Sequence, residues 1–175
     1  MGSLDGVYST RSAWAGHHEV VHVTYDPAVI DYQRLLTSAR RMRCTSAVYT
    51  YDDDQLKIAK QAGISNVIQW KPSLQTRQVR KSEQKYHLRN TALAYLPLNE
   101  LQAVKLNVLA SSRFNGGQSK AAKLLSPRQL QLMGRISSAI SENQSSLSGL
   151  GFPVEQQDLV AYNEALLDRL EKLGK

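Results

Sequence analysis

Residues 6–27, Gly-Val-Tyr-Ser-Thr-Arg-Ser-Ala-Trp-Ala-Gly-His-His-Glu-Val-Val-His-Val-Thr-Tyr-Asp-Pro, decide the fold. Val7, Tyr8, Thr10 and Trp14 suit a pleated, half-buried surface, and Gly16 breaks the run. Glu19–Tyr25 reads as a second strand, closed by Asp26 and by Pro27, which has no N–H to give to a ladder. Working outward, Ile30, Leu35, Leu36 and Ala39 recur at helical spacing, so a helix is expected between Asp31 and Met42. Ser46–Tyr51 is a third short strand. Asp52–Asp54 supply the acceptors and negative charge that a helix start requires, and Leu56, Ile58 and Ala59 carry that helix to a glycine stop at Gly63. Ile64–Trp70 is the fourth strand. Alternation of period 2 with period 3.6 argues for a mixed α/β layer arrangement, an open sheet of about four strands.

After Lys71 and Pro72 no strand is expected, and the chain reads as helices separated by turns. Leu98–Ala110 is one helix; Asn115, Gly116 and Gly117 interrupt the pattern. Ser126 before Pro127 opens the next, a capping hydroxyl followed by a proline whose missing N–H costs nothing in a first turn, and Leu130, Met133, Ile136 and Ile140 form its stripe. Residues 143–153 read as a loop and Val154–Leu173 as a final amphipathic helix. The expected division is 1–95 for the α/β part and 96–175 for a helical extension packed on it.

A length of 175 residues suits one compact domain with a substantial extension. With 42% apolar and 21% charged residues, the chain is an ordinary globular sequence rather than a disordered or fibrous one. No stretch approaches the roughly 20 apolar residues of a membrane span, and no basic region precedes an apolar run at the amino terminus; the cytoplasm is the expected location. The single cysteine, Cys44, excludes an internal disulfide and a cysteine-rich zinc site. A net charge of +7 attracts anionic partners without specificity. Because the basic residues are spread along the chain, the reading is a solvated basic surface rather than a nucleic-acid site.

Strand alternation places Glu19 on one face with Val21, Val23 and Tyr25. A carboxyl group desolvated by such neighbours holds its proton more readily and can act as a general acid; alternatively, Glu19 lies at the open start of the strand and meets water. His17, His18 and His22 do not form a metal site, because four residues of extended chain separate His18 from His22 by about 13 Å. Asp52–Asp54 read as a helix cap rather than a cation site. Cys44 has Arg40, Arg41 and Arg43 nearby, and positive neighbours favour a thiolate, although a free cysteine is usually a small buried hydrophobe. No phosphate loop, dinucleotide fingerprint, nucleophile elbow or Cys-x-x-Cys motif occurs, and no cofactor is expected.

Gly6–Gly16 (GVYSTRSAWAG), His17–Pro27 (HHEVVHVTYDP) and Ile30–Leu36 (IDYQRLL) together resemble the A-type peptide methionine sulfoxide reductases, in order and in spacing. In that family a GV-x-ST strand precedes a Gly-His-x-Glu step, then VV-x-V-x-YDP, then I-x-Y-x-x-LL. Ser46–Tyr49 with Gln55 and Ala59 is similar to the next family segment, and Gln84–Tyr86 with Leu88 to its closing helix. The resemblance covers about residues 4 to 90. It implies a ferredoxin-like sheet, thiol-dependent reduction of the S epimer of methionine sulfoxide in peptides or proteins, and a thioredoxin-like reductant. By position, Glu19 matches the family's acid. Tyr8, Trp14, His17 and Tyr49 are the implied pocket walls, with Cys44 in the same cleft.

The family's Gly-Cys-Phe-Trp nucleophile segment, which should precede Gly6, has no counterpart. Arg43-Cys44-Thr45-Ser46 stands where the family has Gln-Tyr-Arg-Ser, so Cys44 occupies a substrate-polarising tyrosine's position. Leu96–Asn107 (LPLNELQAVKLN) and Leu125–Gln129 (LSPRQ) are similar to stretches of sulfoxide-reductase-like, thioredoxin-linked bacterial redox proteins. Three accounts are expected, in this order: a coding sequence that begins upstream of Met1, through a misassigned start or a selenocysteine codon read as a stop; a domain that has lost catalysis and binds; or shared architecture alone, with a basic nucleic-acid-binding surface.

Overall fold

The computed structural model describes every residue except 81–82, 112–116, 144–145, 152, 154–157 and 174–175, and the side chains at 117–119. The chain divides into two compact units, Met1–Val79 and Arg80–Lys175. The division falls earlier than residue 95 because the segment after Val79 serves the second core: two short 3-10 turns, Tyr86–Leu88 and Ala92–Tyr95, bury Leu88 and Ala94, and Leu96 follows.

In the first unit β1 (Val7–Ala15) and β2 (His18–Tyr25) form an antiparallel hairpin. Its two-residue connection is Gly16-His17, and only Gly16 takes a positive φ, of 58°, as in a type II′ turn, whose hand matches the twist of the strands. At the other end the register slips between Val7 and Ser9. This bulge pairs Val7 with Tyr25 and seats it against Ile30 and Leu35, with Val23, Tyr25 and Tyr32 packed around them. Gly6 is required here: its φ is 82°, and a Cβ would stand 2.8 Å from Ile30 Cγ2.

α1 (Tyr32–Arg41) is capped by Asp31, whose carboxylate accepts the Arg34 N–H at 2.7 Å. Asp52 caps α2 (Asp53–Gln61) in the same way through Gln55. α2 is the crossover between β3 (Val48–Thr50) and β4 (Val67–Gln69), which pair in parallel. Leu36, Ala59 and Ile64 form a second small core with Val48 and Val67 around it.

The expected single sheet of about four strands is instead two: β2-β1-β5, antiparallel, and β3-β4, parallel. β5 (Thr76–Gln78) was not anticipated. Its residues Thr, Arg and Gln are all exposed, so no apolar alternation betrays it; only pairing with Ala13–Ala15 makes it a strand.

The second unit is helical: α3 (Glu100–Leu109), α4 (Gly117–Ala122), α5 (Pro127–Glu142) and α6 (Leu159–Leu173). The expected helix start at residues 154–157 lies outside the described residues. One core unites Leu88, Leu96, Leu106, Leu125, Ile136, Leu147, Tyr162, Leu166 and Leu170 with smaller neighbours. α3 and α5 both begin with capping boxes, at Asn99/Gln102 and Ser126/Gln129. The two glutamines also bond each other reciprocally, at 2.9 and 3.1 Å, and their amides reach the carbonyls of Leu124 and Pro97. Two helix starts are thereby fixed to one another. The Tyr162 hydroxyl donates to the Tyr95 carbonyl at 3.0 Å and the buried Ser146 hydroxyl to that of Ala139 at 2.9 Å, so both are satisfied.

Candidate functional site: the hairpin tip

The tight turn at Gly16 brings one residue from each strand of the antiparallel sheet into a single row. Trp14 pairs with Glu19 on one side and with Arg77 of β5 on the other. Directly paired residues share a face, so the half-buried indole lies between a carboxylate and a guanidinium, both exposed. Arg77 was missed because it belongs to the strand without a sequence signature. His17 sits in the turn beside this row and is exposed.

Glu19 corrects the burial argument. It shares a strand parity with Val21, Val23 and Tyr25, yet Glu19 is exposed, Val21 is 52% exposed, and only Val23 and Tyr25 are partly covered. The reason is coverage rather than parity: Leu35 of α1 packs with Val7, Val23 and Tyr25, at the end of the hairpin away from the turn. Among the described residues the Glu19 carboxylate has no cationic or hydrogen-bonding side-chain partner, and it is exposed rather than surrounded by apolar neighbours.

Cys44 is likewise exposed. It stands just past α1 in a Schellman closure: the Cys44 N–H donates to the Ala39 carbonyl and the Arg43 N–H to that of Arg40, both at 2.9 Å. Arg43, with φ at 58°, fills the left-handed position that glycine usually takes, as Gly63 does in the matching closure of α2. The thiol donates to the Met42 carbonyl at 3.4 Å. No hydrogen bond joins Cys44 to Glu19 or to Trp14 among the described residues.

The remaining expected pocket walls do not join the tip row. Tyr8 is exposed and donates to the Tyr25 carbonyl at 3.4 Å. Tyr49 lies opposite Val48, which packs into the helix-side core, and stacks edge-on with Trp70 at 6.1 Å between centroids. Trp70 meets Tyr51 at 5.7 Å, and Tyr51 meets His22 at 5.9 Å. His22 and Glu19 are three residues apart on one strand and so face opposite sides. Of the expected set, Glu19 and Trp14 fall in a row with Arg77, with His17 beside it; Tyr49 falls in a ring band with Trp70, Tyr51 and His22; Tyr8 and Cys44 belong to neither. Tyr51 and Trp70 went unnoticed because their contact depends on the parallel pairing of β3 with β4.

Beside the band, burial pushes Tyr32 up to about 12, helped by Tyr25 and by the negative charge of Asp52; burial, with Asp52 and then Asp31, also raises Tyr25. Among the described residues no group of three or more His, Cys, Asp or Glu side chains is placed to hold a metal ion, and no helix is long and apolar enough to cross a membrane. No protein-family model matches the chain, and no curated protein sequence matches it either.

Proposed function

We propose that the Met1–Val79 unit is a methionine sulfoxide reductase-like module that recognises the oxidised methionine side chain at its hairpin tip and does not by itself complete the reduction. The row Glu19–Trp14–Arg77 carries this reading. An indole face is a good surface for an S-methyl group, since sulfur and aromatic rings attract by about 0.3–1.5 kcal/mol. A guanidinium beside it can donate to the sulfoxide oxygen, and a charged donor makes the stronger kind of hydrogen bond. Glu19 stands where the resembling family keeps its acid.

The finer assignment, a ferredoxin-like arrangement, is supported by the order hairpin, α1, β3, α2, β4 and by the packing of Leu35 against the hairpin and Leu36 against β3 and β4. Reduction would require a thiolate at the sulfoxide sulfur, and the one thiol of the chain is engaged with the Met42 carbonyl. The test is titration calorimetry with a short peptide bearing S-epimer methionine sulfoxide, beside an assay for its consumption with dithiothreitol. Binding without consumption is expected, weakened roughly tenfold by Trp14→Ala or Arg77→Ala and unaffected by Cys44→Ser. Consumption that vanishes in Cys44→Ser would instead make the chain a reductase; equal binding of the wild type and Trp14→Ala would remove the tip as the site.

A further inference from the structure

Between Glu100 and Glu142 the chain contains no aspartate or glutamate, a longer acid-free run than the one between Asp54 and Glu83. Lys105, Lys120, Lys123, Arg128 and Arg135 all fall within it. Charge in the second unit is therefore segregated, and α5 is its longest helix among the described residues. One side of α5 buries Ile136 and Ala139, with Leu130, Met133 and Ile140 half-buried beside them. The opposite side presents Arg128, Gln131, Gly134, Arg135, Ser138 and, at its carboxyl-terminal end, Glu142, all exposed and spaced three or four apart along one stripe. Lys120 and Lys123, both exposed, immediately precede the helix.

Gly134 in the middle of this stripe has no internal explanation. It lacks a positive φ, and a Cβ there would meet nothing within 4 Å. Glycine in a helix interior is disfavoured against alanine, so the fold gains nothing from it. A bare backbone beside Arg135, two turns before the one carboxylate of this helix, Glu142, does allow an outside surface to approach closely.

We infer that the exposed face of α5, with Lys120 and Lys123, is a docking surface for the phosphate backbone of a nucleic acid. Charge complementarity selects the occupant: no carboxylate stands between Arg128 and Arg135, Glu142 closing the stripe only past Ser138, and these cations with the neutral donors Gln131 and Ser138 suit repeated phosphates. A membrane surface is disfavoured because the stripe carries no large apolar side chain to bury in lipid. An acidic protein is disfavoured because the stripe offers no aromatic anchor for a protein interface. The inference concerns the second unit and is independent of the reading of the hairpin tip.

The test uses the full chain and a fluorescently labelled duplex of about 20 base pairs of arbitrary sequence, with anisotropy read across a salt series. Affinity should fall steeply with salt, and Arg128→Gln/Arg135→Gln should lower the slope of log K against log salt by about 2 and weaken binding at least tenfold at low salt. Lys57→Gln/Lys60→Gln, on α2 of the other unit, should leave both unchanged. Gly134→Ala should raise the melting temperature yet weaken binding; a stabilised variant that binds as the wild type does would overturn the close approach. A flat salt response, or equal losses in the α2 variant, would overturn the site. Equal affinity for polyglutamate at matched charge, or for vesicles of phosphatidylserine and phosphatidylcholine, would overturn the assignment of a nucleic acid.

Discussion

The two units solve the same packing problem differently. Among its described residues Arg80–Lys175 gathers ten buried ones into one core and closes it with a polar clamp, so that Gln102 and Gln129 satisfy two helix starts and each other at once. Met1–Val79 divides its interior into two clusters of three buried residues each, leaves Glu19, Arg77, His22, Tyr51 and Cys44 exposed, and only half covers Trp14, Tyr49 and Trp70. A helix can hide its whole apolar stripe against neighbouring helices. A strand must present every second residue to each side, and where one side is uncovered those residues meet solvent. The residues with the chemistry expected of a functional site therefore lie in the unit with the smaller cores, and the greater burial lies in the other.

That contrast can be tested first where its effect is largest. Leu166→Ala removes a fully buried side chain from the single large core and should cost about 3–5 kcal/mol, against about 2–3 kcal/mol for Leu36→Ala in a small cluster. Both tryptophans, Trp14 and Trp70, lie in the first unit, so their fluorescence follows that unit, while far-ultraviolet circular dichroism follows chiefly the helices of the second. In urea, Leu166→Ala should move the dichroism transition and leave the fluorescence transition in place. Coincident shifts would mean that the units unfold as one and that the contrast in burial has no thermodynamic counterpart.

Gln129→Ala sharpens the same comparison. It removes one capping box, both bonds of the amide pair and the bond to Pro97, and leaves part of the Gln102 amide unsatisfied, at a cost of about 2–3 kcal/mol. Gln129→Glu, which keeps the cap acceptor and loses the donor, should fall between the two on the same dichroism curve. In the first unit the sign reverses: Arg43→Gly relieves a left-handed residue and should stabilise by about 1 kcal/mol, seen as a later fluorescence transition.

The smallest effect is electrostatic. Tyr32 is raised from 10.0 to about 12, so the fold favours the protonated phenol. Its contribution is complete below pH 10 and is lost as pH rises from there to about 12. Alkaline titration followed by phenolate absorbance should show Tyr32 and Tyr162, both raised by burial, among the late tyrosines, and Tyr32→Phe should delete one of them; an unchanged titration would show that the Tyr32 ring is not desolvated.

Much of the fold is legible from residues that act locally. Gly16 marks the hairpin, Asp31 and Asp52 mark two helix starts, and Ser126-Pro127 marks a third, each because a backbone group has a need that only a few side chains meet nearby. β5 is illegible for the opposite reason: Thr76, Arg77 and Gln78 have no preference of their own, and a ladder with β1 makes them a strand. The candidate site follows suit. Glu19 and Trp14 are visible in sequence, whereas Arg77 enters only through that ladder, and Tyr51 and Trp70 meet only through the pairing of β3 with β4.

By itself, then, the sequence determined the order of the elements other than β5 and α4, several of their caps and the parity of the first two strands, because these depend on neighbours within about four residues along the chain. Tertiary structure decided how far α1 covers β2, and so left Glu19 in water. It also decided that five strands form two sheets and that the second unit begins at Arg80. Those outcomes are set by long-range burial, which depends on where a helix ends in space rather than on which residue comes next.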